Sequence, residues 1–297
     1  MPEQERIQEI IGPVSSYYIS QRLKLHFADW GNEEKPPLLL VHGGRDHARS
    51  WDWVARALRD EYHVIAPDLR GHGDSAWSVG GQYTLPEFVL DISQLIDTLG
   101  LAPVRVVAHS MGAAVSLFYS GVFPSKVRKL VAIEGMKIPD AVRARMDVEI
   151  WESTANWIEM VRETSRRQPR RYATIEDAAG RMQAENPHLS SHQARHLTVH
   201  GVARNEDGTF SWKFDHASRP LFPQRMPPDS QQRLWQRIEC PTLLMHGTES
   251  WHGDPSSDGR SAHIAEASVV AVEDAGHWVH HDQLDFFLET VRTFLRD

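Results

Sequence analysis

Cysteine is nearly absent from this 297-residue chain. Cys240 stands alone, which excludes an internal disulfide framework and any cysteine-rich zinc module. Long apolar runs are missing too: none approaches the roughly 20 residues a membrane-spanning helix needs. The opening MPEQERIQEI shows neither the basic stretch nor the apolar stretch of a secretory signal. Basic charge is in deficit, with 32 Lys plus Arg against 40 Asp plus Glu, so no basic face is expected to follow a nucleic-acid backbone. Repeats and low-complexity tracts are also lacking. What is present is enough apolar residue, 41%, to build a sizeable core. These features predict a soluble, cytoplasmic globular chain without nucleic-acid or membrane partners, its oligomeric state left open.

The first half alternates short apolar runs with helical patterns. Residues 14–30 read as two strands before the Gly31-Asn32 turn, and LLLVH (38–42) as a strand buried on both faces. A helix is expected near Trp51, a strand at 62–66, and a helix over 86–99 with Thr84 as cap and Gly100 as stop. A strand at 104–108, a helix from Met111 to about Val122 and a strand at 127–133 follow. Such alternation predicts an α/β chain with a mostly parallel sheet and helices on both faces. From about Met136 to Arg237 the buried-strand pattern stops, and the segment reads as helical and rich in aromatics, Phe222 and Trp235 among them. Strands resume at 241–246 and 268–273, and a helix from about Asp282 closes the chain. The expected organisation is a core of 1–136 and 237–297 with a helical lid inserted at 137–236.

Three places carry chemistry. Ala108-His109-Ser110-Met111-Gly112 lies directly between a buried strand and a helix. A serine at such a turn projects its hydroxyl above the sheet edge, the G-x-S-x-G elbow pattern with Ala108 in place of the first glycine. The plainer alternative is a serine that only caps the helix. His277, in Gly276-His277-Trp278, is the candidate base, since a hydroxyl is a poor nucleophile until a neighbour takes its proton. His277, His280 and His281 also stand at i, i+3 and i+4, a spacing open to a metal, but no acidic or cysteine set accompanies them. No metal is therefore expected, and His280 and His281 are assigned to a flexible surface cluster. In His42-Gly43-Gly44-Arg45 the glycines allow close backbone approach, so the Gly44 and Met111 N–H groups are candidate oxyanion donors.

These residues together resemble the α/β-hydrolase fold superfamily, in its serine esterase and lactonase-like branch. The matching stretches are LLLVHGG, PDLRGHGDS, VVAHSMGAA, PTLLMHG and DAGHWVHHDQ, in that order along the chain. The resemblance implies a serine–acid–histidine triad, a lid after the sixth strand and a purely structural 67–75 loop, leaving Asp68, His72 and Asp74 without catalytic roles. Such proteins usually carry the acid three residues after the glycine ending the next core strand. Here that position is Ser250, with Glu249 adjacent and Asp254 further on. Some members carry the acid after the sixth strand, where Glu134 stands. Glu134 is favoured over Glu249, because the histidine needs a carboxylate to fix its tautomer.

The resulting expectation is a cofactor-free serine hydrolase that cleaves a mainly apolar, small-molecule ester or lactone through an acyl-enzyme. Ser110 would be the nucleophile, His277 the base and Glu134 the acid. Carbon–carbon bond hydrolysis and perhydrolysis on the same triad remain open, as does a non-catalytic small-molecule receptor. Epoxide hydrolases and haloalkane dehalogenases of the fold use a carboxylate nucleophile, which Ser110 speaks against.

Overall fold

The structure is a computed structural model that describes residues 12–81, 83–137, 148–218 and 228–296. β1 (Val14–Ser20) and β2 (Leu23–Asp29) form an antiparallel hairpin at one edge of an eight-stranded sheet. The rest of that sheet comprises β3 (Pro37–Val41), β4 (His63–Pro67), β5 (Val104–His109), β6 (Val127–Ile133), β9 (Thr242–Gly247) and β10 (Ala267–Val272). Its order is β1-β2-β4-β3-β5-β6-β9-β10, and every pair beyond β2–β4 is parallel.

Side-chain alternation along the strands feeds two apolar layers. Leu39, Val41 and Val106 face one layer with helices α2 (Leu85–Leu99) and α3 (Met111–Val122). Leu38, Leu40 and Val107 face the other with α1 (Asp52–Leu58) and α9 (Leu284–Leu295). Because both faces are covered, the central strands read as unbroken apolar runs rather than alternating ones. Thr84 and Glu87 form a reciprocal capping box at the start of α2, and Gly100 ends it at φ 64°. The closing helix begins at Leu284 rather than near Asp282. A short α8 (Val279–Asp282) precedes α9, the two separated at Gln283.

Between β6 and β9 lie α4 (Ile150–Arg166), α5 (Ile175–Glu185), α6 (Ser191–Gly201) and α7 (Pro228–Trp235). The described part also holds a small hairpin of β7 (Val202–Arg204) and β8 (Phe210–Trp212), which the aromatic-rich sequence did not announce. These strands are three residues each, too short to leave a periodicity signal. Leu189, Ala194 and Leu197 pack on Trp53 and Trp278, while His47 Nε2–H donates to the Leu197 carbonyl at 2.8 Å. Gln193 donates to the His281 carbonyl, also at 2.8 Å. The segment is thus held against the loops at the carboxyl ends of the strands. Trp235 belongs to the core, and Phe222 lies outside the described residues.

Burial makes the fold sensitive to acid. Burial, helped by His72, lowers His42 to about 3, and burial beside His47 lowers His281 to about 3. His200 and His252 are each lowered to about 4, again chiefly by burial. Between the ordinary histidine value near 6.5 and these values, the unfolded chain binds protons that the folded chain refuses. Stability is therefore full above about pH 6.5 and declines as pH falls toward 4. Thermal melts at pH 7.5, 6, 5 and 4 are expected to show Tm falling through this window; a flat Tm would contradict the burial argument.

Candidate active site

Ser110 sits at the junction of β5 and α3 with φ 51° and ψ −117°, a left-handed conformation that a non-glycine residue rarely adopts. The turn is over-determined by its surroundings. The Ser110 N–H donates to the Ile133 carbonyl of β6 at 2.8 Å. A Cβ on Gly112 would stand 2.4 Å from the His42 carbonyl oxygen and 2.6 Å from that of Val41, so α3 can leave the sheet only with glycine there. Ala108 fits where the pattern has its first glycine because it is fully buried and small.

The loop after β10 brings His277 over this turn. His277 Nε2 accepts the Ser110 hydroxyl proton at 2.9 Å, and its Nδ1–H donates to Glu134 Oε2. A carboxylate has no proton to give, so Nδ1 must carry it and Nε2 is left as the acceptor. Glu134 lies directly after β6, at φ 53°, with its side chain fully buried. Its other oxygen, Oε1, accepts the Gly247 N–H at 2.9 Å. In such an order an imidazole can take a hydroxyl's proton while the carboxylate fixes its tautomer and stabilises its charged form.

The alternative acids stand elsewhere. Glu249 is exposed and pairs with His188 Nε2 at 3.3 Å, while Asp254 faces His246 Nε2 at 3.8 Å. Neither bonds to His277 among the described residues. Ser250, at the usual acid position, donates its hydroxyl to Glu134 Oε2 at 2.6 Å.

The loop after β3 passes against the serine: a Cβ on Gly43 would lie 3.2 Å from Ser110 Cβ, and one on Gly44 3.9 Å from Met111 Sδ. Met111 is the first residue of α3, so its N–H has no acceptor within the helix. Gly44 therefore lies beside Met111 in a loop that touches Ser110, the region in which backbone N–H groups would meet a developing oxyanion.

Three surrounding residues were not singled out in the sequence. His109, buried and held neutral far below the usual histidine range by burial and by the neighbouring His277, donates Nε2–H to the His277 carbonyl at 2.9 Å. Trp251 lies beside the His277 ring, with centroids 5.3 Å apart. Asp282, its carboxyl raised by burial, accepts the Gly276 N–H at 2.9 Å. His109 and Trp251 stand one residue from Ser110 and Ser250, which is the only sequence signal they offered.

His280 and His281 require a correction. They do not form a flexible surface cluster, being 0% and 4% exposed. His280 stacks on Trp51 at 4.4 Å, and His281 meets Trp53 edge-on, because α8 packs inward against α1. Neither stands with His277 in a group of three within ligating reach among the described residues. Two other donor groups stand within ligating reach among the described residues. In the first, Asp52 with His196 and His200, both carboxylate oxygens are already held by the Arg49 fork at 2.6–3.0 Å. In the second, Asp68 is satisfied by His26 and by the Ala48 and Asp74 N–H groups, as a structural loop requires.

Comparison with known proteins adds the following. The profile of the Alpha/beta hydrolase family matches residues 38–290. Epoxide hydrolase 1 of Caenorhabditis elegans is 23% identical over 99% of this chain and 73% of its own length. The sn-1-specific diacylglycerol lipase ABHD11 of Mus musculus is 26% identical over 89% of this chain and 82% of its own. Among solved structures, the thioesterase domain from the curacin biosynthetic pathway superposes with a TM-score of 0.82 at 23% identity, covering 95% of this chain and all of that one. At that identity the last likeness speaks for the fold. No helix among the described residues is long and apolar enough to cross a membrane.

Proposed function

The chain belongs to the alpha/beta hydrolase family, and from that premise we propose that it is a serine hydrolase cleaving a small carboxylic ester or lactone. The observation that carries this reading is the 2.9 Å hydrogen bond from the Ser110 hydroxyl to His277 Nε2 at the strained turn after β5. In the proposed reaction Ser110 Oγ attacks the carbonyl carbon as His277 Nε2 takes its proton. The Gly44 and Met111 N–H groups receive the developing oxyanion. His277, its charged form stabilised by Glu134, then returns the proton to the leaving alcohol. Water repeats the sequence on the acyl-serine and releases the acid. We assign 137–236 as a lid that supplies apolar walls and none of the three reacting side chains. Support comes from the contacts of α6 with the loops after β3 and around α8.

Several relatives are named epoxide hydrolases, and that reaction in this fold uses a carboxylate at the elbow. Ser110 occupies that place here, which favours acyl transfer. The cheapest test is a fluorophosphonate probe. Stoichiometric labelling is expected, with the adduct mapped to Ser110 by mass spectrometry and absent after Ser110→Ala. A folded protein that resists the probe and turns over no member of a p-nitrophenyl ester and lactone panel would overturn the reading.

A further inference from the structure

The hydroxyl of Ser250 has a fixed direction. It accepts the His252 N–H at 3.2 Å, and its own proton goes to Glu134 Oε2 at 2.6 Å, the same oxygen that receives the His277 Nδ1–H. Two residues on, His252 is buried, and its Nε2 accepts the N–H groups of Met136 and Lys137 at 3.1 and 3.0 Å. A ring that accepts at Nε2 carries its proton at Nδ1, which faces the Gly253 carbonyl at 3.3 Å. Burial holds His252 down to about 4, so this tautomer persists at neutral pH. Ser250 and His252 thus clasp the strand-end that bears Glu134 from two sides. The clasp joins the segment after β6 to the loop after β9, which are neighbours only in the sheet.

We propose that Ser250 is a positioning residue that aims the Glu134 carboxylate at His277 and weakens its basicity, with His252 bracing the backbone on which Glu134 stands. This rests on the triad reading above. Without that donor the carboxylate would keep only the Gly247 N–H on Oε1 and the His277 Nδ1–H on Oε2. With the donor in place, Oε2 is pinned between hydroxyl and imidazole, and the shared proton density lowers its pull on Nδ1–H. Ser250 never touches the reacting atoms; it acts through Glu134.

The tests are Ser250→Ala, Ser250→Thr and the pair Glu134→Gln and Glu134→Gln/Ser250→Asp, assayed with p-nitrophenyl butyrate across pH and checked for folding by circular dichroism. Groups facing His277 from the packed elements are Glu134, His109 after β5, His252 after β9, and His280 and Asp282 of α8. None of these is altered by the serine variants. Ser250→Ala is expected to lower kcat by roughly ten- to a hundredfold, as for loss of a hydrogen bond to a charged group. Its acidic limb should move to higher pH, because an undamped carboxylate stabilises the imidazolium more. Ser250→Thr, which keeps the hydroxyl, should restore both kcat and the limb. An aspartate at 250 reaches the same oxygen's surroundings, so Glu134→Gln/Ser250→Asp should exceed Glu134→Gln by at least about tenfold. Wild-type kcat in Ser250→Ala, or a uniform loss at every pH with no shift of the limb, would overturn the proposal. So would failure of the double variant to exceed Glu134→Gln. Full activity in Glu134→Gln itself would instead sink the acid assignment beneath it.

Discussion

Replacing Ser110 with alanine is expected to reduce kcat on an ester substrate by roughly 10⁶, the scale seen when the nucleophile of a serine enzyme is removed. The change deletes one hydroxyl and its bond to His277 Nε2, while alanine accepts the same backbone angles as well as serine does. Fold and stability should therefore stay near wild type, with the Ser110 N–H still bonded to Ile133. Residual catalysis from the Gly44 and Met111 donors and from binding would remain above the water rate. The check is single-turnover and steady-state kinetics beside a thermal melt. A variant that melts like wild type yet keeps more than a small fraction of kcat would show that another group attacks.

Replacing Glu134 with glutamine is expected to cost on the order of 10⁴ in kcat, as in the best-characterised change of this kind. The carboxamide matches the carboxylate in shape but not in hydrogen-bond sense. Its carbonyl can accept the Gly247 N–H, which leaves its NH2 facing the Ser250 hydroxyl and His277 Nδ1. Nδ1 would then have to accept, the proton would move to Nε2, and the ring would present a donor to Ser110. Charge stabilisation of the imidazolium is lost as well. Glu249→Gln should leave kcat within about a factor of two, since it breaks only an exposed pair with His188. Steady-state kinetics of the two variants side by side checks this, and a reversed order of effects would move the acid to Glu249.

These expectations differ in how far they were legible before coordinates. Strand runs such as LLLVH, the Thr84 cap and the Gly100 stop are short-range signals, governed by neighbours a few residues apart, and each appears where its residues stand. The elbow was legible for the same reason: strand, serine and helix are contiguous, and the crowding that demands Gly112 is local in sequence. The β7–β8 hairpin was not, because three-residue strands carry no period. His280 and His281 were misjudged because burial depends on which face of α8 meets α1, a tertiary matter.

By itself the sequence determined the α/β alternation, the sheet's parallel character, the membership signalled by its ordered motifs, and the placement of Ser110 between a buried strand and a helix. These follow from hydrophobic periodicity and turn chemistry, which act over a few residues. Only the tertiary structure decided the surroundings of Glu134. Parallel pairing of β6 with β9 sets Ile133 beside Met245 and lets the Glu134 N–H donate to the Met245 carbonyl at 3.0 Å. That register carries Ser250, 116 residues away, onto Glu134, and the loop after β10 carries His277, 143 residues away, onto the same oxygen. Register between strands far apart in the chain is a property of packed faces, and no window of sequence contains both partners.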